Sequence, residues 1–355
     1  MIPHNQPFLD QHDIQQVSKI LSSKWIAQGR TVRLFEQKLA RRLKRKFAKA
    51  ASSGTAALHL ALLALGVKKG DEVIVSTYAC SALLNAVFYT GAAPRLADID
   101  ETTLGISKRT IKPLVNRRTA AIIVNHAFGF PAAIQEARSL GIPVVEDCAQ
   151  ALGSSVNGEP LGGFGDLAVC SFYATKMITT GYGGMVLTDH KKYAARLDDL
   201  TRYDQRRDYK IRFNYSMSDM GAALGLSQLE KLDGFVERRR RIGGKYMNIL
   251  RPSRFYYWAG RRGAEPNFYR FLAGNTEPFE ASLKYFKKWG IEAISPLEPY
   301  QLLHRYFRLD RKKFPVAEAV SRAVISIPIF PALSAKEITR ICRALQELDP
   351  YAIAR

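Results

Sequence analysis

One lysine carries most of the chemistry that can be read from this chain of 355 residues. Lys176 closes the segment Ser171-Phe172-Tyr173-Ala174-Thr175-Lys176. Upstream, a short apolar run ends in two acids, Val144-Val145-Glu146-Asp147, and downstream lies a glycine-rich stretch, Gly181-Tyr182-Gly183-Gly184. A buried lysine amine that loses its proton becomes a nucleophile able to form an imine with an aldehyde. A carboxylate that keeps a ring nitrogen protonated turns an attached pyridine into an electron sink. Pyridoxal phosphate (PLP) chemistry needs both parts, and Lys176 and Asp147 are the candidates.

Other residues support this reading only as a group. Gly54 and Thr55 open an apolar helix, and the free N–H groups and positive dipole end of a helix suit a phosphate. Read alone, Ser53-Gly54-Thr55 is an ordinary helix cap. Gln150 follows Asp147 by three residues and could reinforce it. Tyr78 follows a strand end and could stack on a flat ring, or be a plain core tyrosine. His126 also follows a strand, where a lone histidine is more often structural.

These residues need a scaffold, and the apolar pattern supplies one. A helix is expected from Ser53 to about Leu65, apolar on nearly every side and so buried. Strands are expected over Glu72–Ser76, Pro94–Asp98, Ala120–Asn125 and Pro143–Glu146, and shorter ones over Leu167–Phe172 and Gly184–Thr188. Helices over Ser81–Tyr89 and Ala132–Leu140 alternate with them. Continuous apolar runs alternating with helices predict strands covered on both faces. The fold class is therefore α/β, a mostly parallel sheet, which binds ligands at the carboxyl ends of its strands. A long helix, Ser218 to Tyr246, follows. After it, a strand at Phe268–Ala273 and helices near Pro278–Trp289 and Ser334–Leu348 predict a smaller C-terminal α+β domain. The boundary is placed between Tyr246 and Ser253, giving domains of residues 1–248 and 249–355.

Composition narrows the function classes. A hydrophobic content of 47% is that of an ordinary globular protein. Cys80, Cys148, Cys170 and Cys342 form no CxxC pair, which favours reduced thiols in a cytoplasmic protein over a disulfide scaffold or a zinc site. No signal peptide and no membrane span are expected. Fifty-three Lys and Arg against 32 Asp and Glu leave a charge of +21, a field that attracts anions. The run Arg238-Arg239-Arg240-Arg241 could bind phosphate, but on the long helix its members point in different directions. It is read as solvated helix surface. No aromatic-and-basic interleaving marks a nucleic-acid module, so nucleic acid is not an expected partner.

From about Pro7 to Leu348 the chain resembles the DegT/DnrJ/EryC1/StrS family of PLP-dependent sugar aminotransferases, of fold type I. The likeness rests chiefly on Glu146-Asp147-Cys148-Ala149-Gln150 and Ser171-Phe172-Tyr173-Ala174-Thr175-Lys176. Trp25-Ile26-Ala27-Gln28-Gly29, Ser53-Gly54-Thr55-Ala56, His126-Ala127-Phe128-Gly129 and Asn214-Tyr215-Ser216-Met217-Ser218-Asp219 add to it. It implies a seven-stranded-type sheet in the large domain. It also implies roles. Lys176 would bind the cofactor aldehyde, Asp147 would pair with the ring nitrogen, and Gln150 would lie near the ring oxygen. Tyr78 would take the place of the stacking aromatic. Thr55, Ala56 and Ser171 would hold the phosphate. Asn214 would reach the phosphate in the neighbouring subunit, implying a homodimer with shared sites.

The activity implied is transfer of an amino group, with glutamate as donor, to a nucleotide-linked keto sugar in amino-sugar or polysaccharide biosynthesis. The cofactor would alternate between PLP and pyridoxamine phosphate (PMP). Arg202, Arg206, Arg207 and Arg212 are candidates for nucleotide phosphates, or members of a solvated loop. Tyr182, Phe130 and Ser216 depart from the family pattern, at positions that could line or support the acceptor site. A sugar dehydratase on the same fold carries histidine at the lysine position, so Lys176 argues against it. A non-catalytic relative would have no need of Asp147, Gln150, Lys176 and Asn214 together.

Overall fold

The computed structural model describes residues 1–250, 256–258, 260, 262–274 and 279–348. Its strands in chain order are β1 (Phe47–Ala51), β2 (Glu72–Ser76), β3 (Ala93–Ala97), β4 (Thr119–Asn125) and β5 (Val144–Asp147). Then come β6 (Ser155–Val156), β7 (Glu159–Pro160), β8 (Leu167–Ser171) and β9 (Gly184–Thr188). The last are β10 (Tyr256–Tyr257), β11 (Ala264–Glu265), β12 (Phe271–Gly274) and β13 (Val324–Ile327). Seven of them form the central sheet in the order β1-β9-β8-β5-β4-β2-β3. β8, β5, β4, β2 and β3 run parallel, while β9 pairs antiparallel with both β1 and β8.

Both faces of this sheet are covered, as the apolar runs predict. Helices α1 (Gln11–Ser23), α2 (Arg30–Arg42), α3 (Gly54–Leu65) and α4 (Ala82–Tyr89) come first, then α5 (Lys108–Ile111), α6 (Ile134–Arg138) and α7 (Lys191–Thr201). Side chains alternate across a strand. Val73 and Val75 accordingly join α3 and α4 in one apolar cluster, while Ile74 joins Ile106 and Ile134 in another. α3 starts where Ser53 Oγ accepts the Ala56 N–H and stops at left-handed Gly66.

The 32-residue helix α8 (Asp219–Leu250) is the spine of the molecule, about 48 Å long at the usual rise. Asp219, buried at its first turn, accepts N–H groups from Gly29, Thr31 and Val32 and so caps α2. Gly29 is required there, because a Cβ would sit 2.8 Å from Asp219 Oδ2. Asp13 of α1 accepts from Ser227, Gln228 and Lys231 further along α8. The apolar pattern of the sequence does not mark α1, α2 or β1.

The far end of α8 carries a second apolar cluster with β12, β13, α9 (Phe279–Lys288) and α12 (Ala335–Gln346). α10 (Leu303–Tyr306) and α11 (Pro315–Ala323) lie between, and β10, β12 and β13 form a three-stranded antiparallel sheet. The expected boundary between Tyr246 and Ser253 falls partly outside the described residues, and α8 runs unbroken to Leu250. Two elements are shorter than expected. β12 starts at Phe271 because Phe268 has φ +50°, which no strand residue adopts. The helix expected over Ala132–Leu140 is only α6, since Ala132 gives its N–H to His126 and Gly141 turns at φ +71°.

The arginine run departs from its expected role. Arg239 is buried, and it donates to the carbonyls of Phe268, Tyr269 and Ile329. Arg238 donates to Pro331 and Leu333, and Arg240 to Glu265 and Pro266. Among the described residues Arg241 pairs only with Glu237, on its own exposed turn. Apart from that of Glu265 at the end of β11, the carbonyls they reach belong to irregular backbone outside the strands, and guanidinium groups satisfy them. Burial lowers the Arg239 guanidinium to about 10. Arg239→Ala should cost about 3 kcal/mol by stranding buried carbonyls, whereas Arg241→Ala should stay within about 0.5 kcal/mol. Urea denaturation of the two variants measures the difference, and equal midpoints would restore the solvated-surface reading.

Candidate active site

A cavity of about 520 Å³ opens at the carboxyl ends of the parallel strands. Tyr78 reaches it from beyond β2, His126 and Phe128 from β4, Asp147 and Gln150 from β5, and Ser171 from β8. Lys176 comes from the turn between β8 and β9, and Gly54 and Thr55 from the head of α3. Residues far apart in the chain thus converge where open α/β sheets hold ligands.

The head of α3 is shaped for an anion. The side-chain cap takes the Ala56 N–H, and no bond among the described residues takes those of Gly54 and Thr55. Gly54 permits Ser171 to close the other side, since a Cβ would lie 2.8 Å from Ser171 Cβ. At Gly184 a Cβ would lie 2.3 Å from the Ser53 carbonyl oxygen, so β9 can pass the helix head only with glycine there. Ala56 itself is buried, lies outside the cavity lining and has its N–H occupied.

The two acids that end β5 diverge. Glu146 points away from the cavity and is fully buried. Its oxygens accept N–H groups from Gly162 (2.6 Å), Phe164 (2.8 Å) and Gly165 (2.9 Å). His126 Nδ1 accepts from the Ala132 N–H at 3.0 Å, so its Nε2 carries the proton and donates to Glu146 at 3.1 Å. Burial pushes the Glu146 carboxyl up, but His126 and the amides outweigh it and hold it below its ordinary value. Asp147 faces the cavity, and the only hydrogen bond to its carboxylate among the described residues is from the Ala149 N–H at 2.9 Å. Burial there wins over Lys176 and His126, and the carboxyl is raised. A ligand cation facing Asp147 would remove that cost. Cys148 approaches His126 and Glu146 closely enough to suggest a metal triad. Both nitrogens of His126 and both oxygens of Glu146 are already engaged, so the cluster is structural.

Gln150 Oε1 accepts the Phe128 N–H at 2.6 Å. That bond holds Phe128 at φ +56°, a strained conformation for an aromatic residue, with its ring edge-on to Tyr78 at 5.7 Å. Lys176 is half-buried rather than fully enclosed, with Nζ 5.4 Å from the centre of the Tyr269 ring. Its turn is closed by Lys176 N–H to Tyr173, Thr180 N–H to Phe172 and Phe172 N–H to Gly183.

Other expected residues lie elsewhere. Asn214 is exposed and outside this cavity. Arg212 and Arg206 pair with Asp199 and Asp208, and Arg202 with Asp198, so their charges are largely spent within the chain. Phe130 is core and Ser216 lies away from the lining, while Tyr182 stands at the mouth beside Tyr173. Sequence reasoning missed Tyr269 and Arg270, which line the cavity from just before β12. Their only local signal is a single arginine at the start of an apolar strand.

The two acids should respond oppositely to pH in ligand-free protein. Glu146, with its carboxyl depressed, contributes stability that is present above its ordinary value of 4.5 and lost as pH falls through the depressed one. Asp147, raised, contributes stability that is present below 3.8 and lost as pH rises through the raised value. At pH 7, Glu146→Gln should therefore destabilise by about 3 kcal/mol, while Asp147→Asn should be neutral or stabilising. Thermal melts from about pH 2 upward measure both; a destabilised Asp147→Asn protein at pH 7 would contradict the assignment.

The family model for the DegT/DnrJ/EryC1/StrS aminotransferase family matches residues 7–346. GDP-perosamine synthase of Escherichia coli O157:H7 is 35% identical, with 98% of each chain covered. GDP-perosamine synthase of Vibrio cholerae is 31% identical over the same shares. Among solved structures, the aminotransferase TlmJ of Streptoalloteichus hindustanus has a TM-score of 0.91 at 27% identity, covering 98% of both chains. A putative sugar aminotransferase of Streptococcus pneumoniae in its PMP form has a TM-score of 0.92 at 24% identity, again over 98% of both, a likeness of fold. The protein belongs to the DegT/DnrJ/EryC1/StrS family and is a PLP-dependent sugar aminotransferase.

Proposed function

We propose that this enzyme moves an amino group from L-glutamate to a GDP-linked keto sugar, with GDP-perosamine or a close analogue as product. The observation that carries the reading is the convergence of Lys176, Asp147 and the head of α3 on one cavity. The choice of carrier and sugar is supported by relatives named GDP-perosamine synthase, at 31–35% identity along nearly the whole chain.

The residues fit the cofactor. The N–H groups of Gly54 and Thr55, with Ser171, suit its phosphate. Asp147 suits the protonated ring nitrogen, which would supply the cation its buried carboxylate lacks. Tyr78 packs against the same space, and Gln150 lies beside Asp147 at the rim. When bound, PLP supplies the aldehyde that takes up the amino group and the ring that spreads negative charge from the adjacent carbon. Lys176 Nζ would tether the cofactor until the donor takes its place. The freed amine would take the proton from the donor α-carbon, which is to become the keto carbon, and return one to the former aldehyde carbon, which keeps the nitrogen. The same moves in reverse aminate the sugar. We also propose a homodimer in which Asn214 reaches the partner's site, a reading supported by its exposure outside its own cavity.

Holoenzyme given L-glutamate and the keto counterpart of GDP-perosamine should form GDP-perosamine and 2-oxoglutarate, read by mass spectrometry. No amination of any GDP-, UDP-, dTDP- or CDP-linked keto sugar would overturn the reading. Lys176→Ala should keep the wild-type circular dichroism but lose at least about 10⁴-fold in turnover, with no borohydride-trapped cofactor. Substantial activity in that variant would remove Lys176 from its role.

A further inference from the structure

Arg270 is a half-buried cation without a counter-charge among the described residues. It lines the same cavity as Lys176, and no carboxylate among the described residues lies within ion-pair distance. Its Nε is buried with no hydrogen-bond partner among the described residues. The guanidinium sits 5.7 Å from the centre of the Tyr269 ring and 6.0 Å from that of Phe128. Its Nη1 lies 3.3 Å from His4 Nε2, which is also 2.9 Å from Ser326 Oγ. His4 faces it as a neutral acceptor, since burial, Arg270 and Arg239 hold the imidazole down to about 3. The chain therefore orients this guanidinium but does not neutralise it. A guanidinium whose Nε is shut off from water without an acceptor is costly to hold, so the missing anion is to be sought in a ligand.

The cofactor phosphate is poorly placed to be that anion, because its cradle at the head of α3 is built from different elements. Arg270 stands instead with Phe128, which Gln150 holds, and with Tyr269, whose other neighbour is Lys176. That is where the donor must present its α-carbon to the lysine amine. An amino acid brings a carboxylate on that very carbon, whereas the sugar ring brings only hydroxyls. A planar guanidinium held between aromatic faces matches a carboxylate with two parallel hydrogen bonds.

We propose that Arg270 is the carboxylate anchor of the amino donor, fixing the donor so that its α-hydrogen faces Lys176. The proposal rests on the aminotransferase reading above and adds the residue that separates donor recognition from sugar recognition. Because the nucleotide-linked sugar has no carboxylate, the two half-reactions should depend on Arg270 unequally.

The test follows the cofactor absorbance of holoenzyme in single turnovers, with L-glutamate and with GDP-perosamine as alternative amino donors. Arg270→Gln should raise half-saturation for L-glutamate about 100-fold. Cofactor loading and half-saturation for GDP-perosamine should stay within about 3-fold. Unchanged glutamate saturation overturns the anchor, and so does loss of cofactor, which would make Arg270 part of the cofactor site. A second measurement needs no variant: succinate should compete with L-glutamate on the unaltered enzyme, and the neutral diamide succinamide should not. Equal competition by both overturns the proposal. If wild type reacts with glutamate but not with GDP-perosamine, the choice of sugar fails, and the glutamate and succinate comparisons still decide the anchor.

Discussion

The acidic end of β5 is the constraint around which the molecule is arranged. Two carboxylates follow one another on a buried strand, and strand geometry sends them to opposite sides. Glu146 is answered entirely by the chain, through three backbone amides and the His126 imidazole. The loop at residues 162–165 and the turn after β4 are thereby tied to one point. Asp147 receives a single amide and faces a cavity. One acid is a structural anchor because its partners are built in, and the other is poised for a ligand because they are not.

The cavity beside Asp147 exists because backbones approach more closely than side chains would allow. Gly54 lets α3 meet β8 at Ser171, and Gly184 lets β9 pass the Ser53 carbonyl. These contacts aim the free N–H groups of a buried helix at the space in front of the acid. The opposite wall comes from the second half of the chain. There Arg239 and Arg240 of α8 grip carbonyls of the segment that carries Tyr269 and Arg270, while Arg238 holds those of Pro331 and Leu333 beyond β13. A run of positive charge that looks like surface is thus the clasp between the two halves of the site.

Much of the scaffold is legible in the sequence because local pattern and global position agree there. Glu72–Ser76 is a strand over the expected residues, and the helix after Ser53 keeps its cap and its glycine stop. Where the reading falls short, contacts from outside the segment intervene. Ala56 looks like a phosphate ligand by position in its motif, but the cap has already taken its N–H. The strand expected from Phe268 is delayed by a left-handed residue whose carbonyl Arg239 captures. Arg212 looks available for phosphate until Asp199 and Asp208 are seen beside it.

The sequence by itself determined the class of chemistry, because a lysine and an aspartate in their motifs, with a glycine-lined helix start between strands, carry the reactive groups and their order. It also determined the mostly parallel sheet, since apolar runs covered on both faces have few other arrangements. Tertiary structure alone decided which charges are free. Burial and pairing depend on residues distant in the chain, 266 positions for Arg270 against His4 and 90 for Arg239 against Ile329. The environment of a charge sets its energy, and that environment is assembled only when the chain folds.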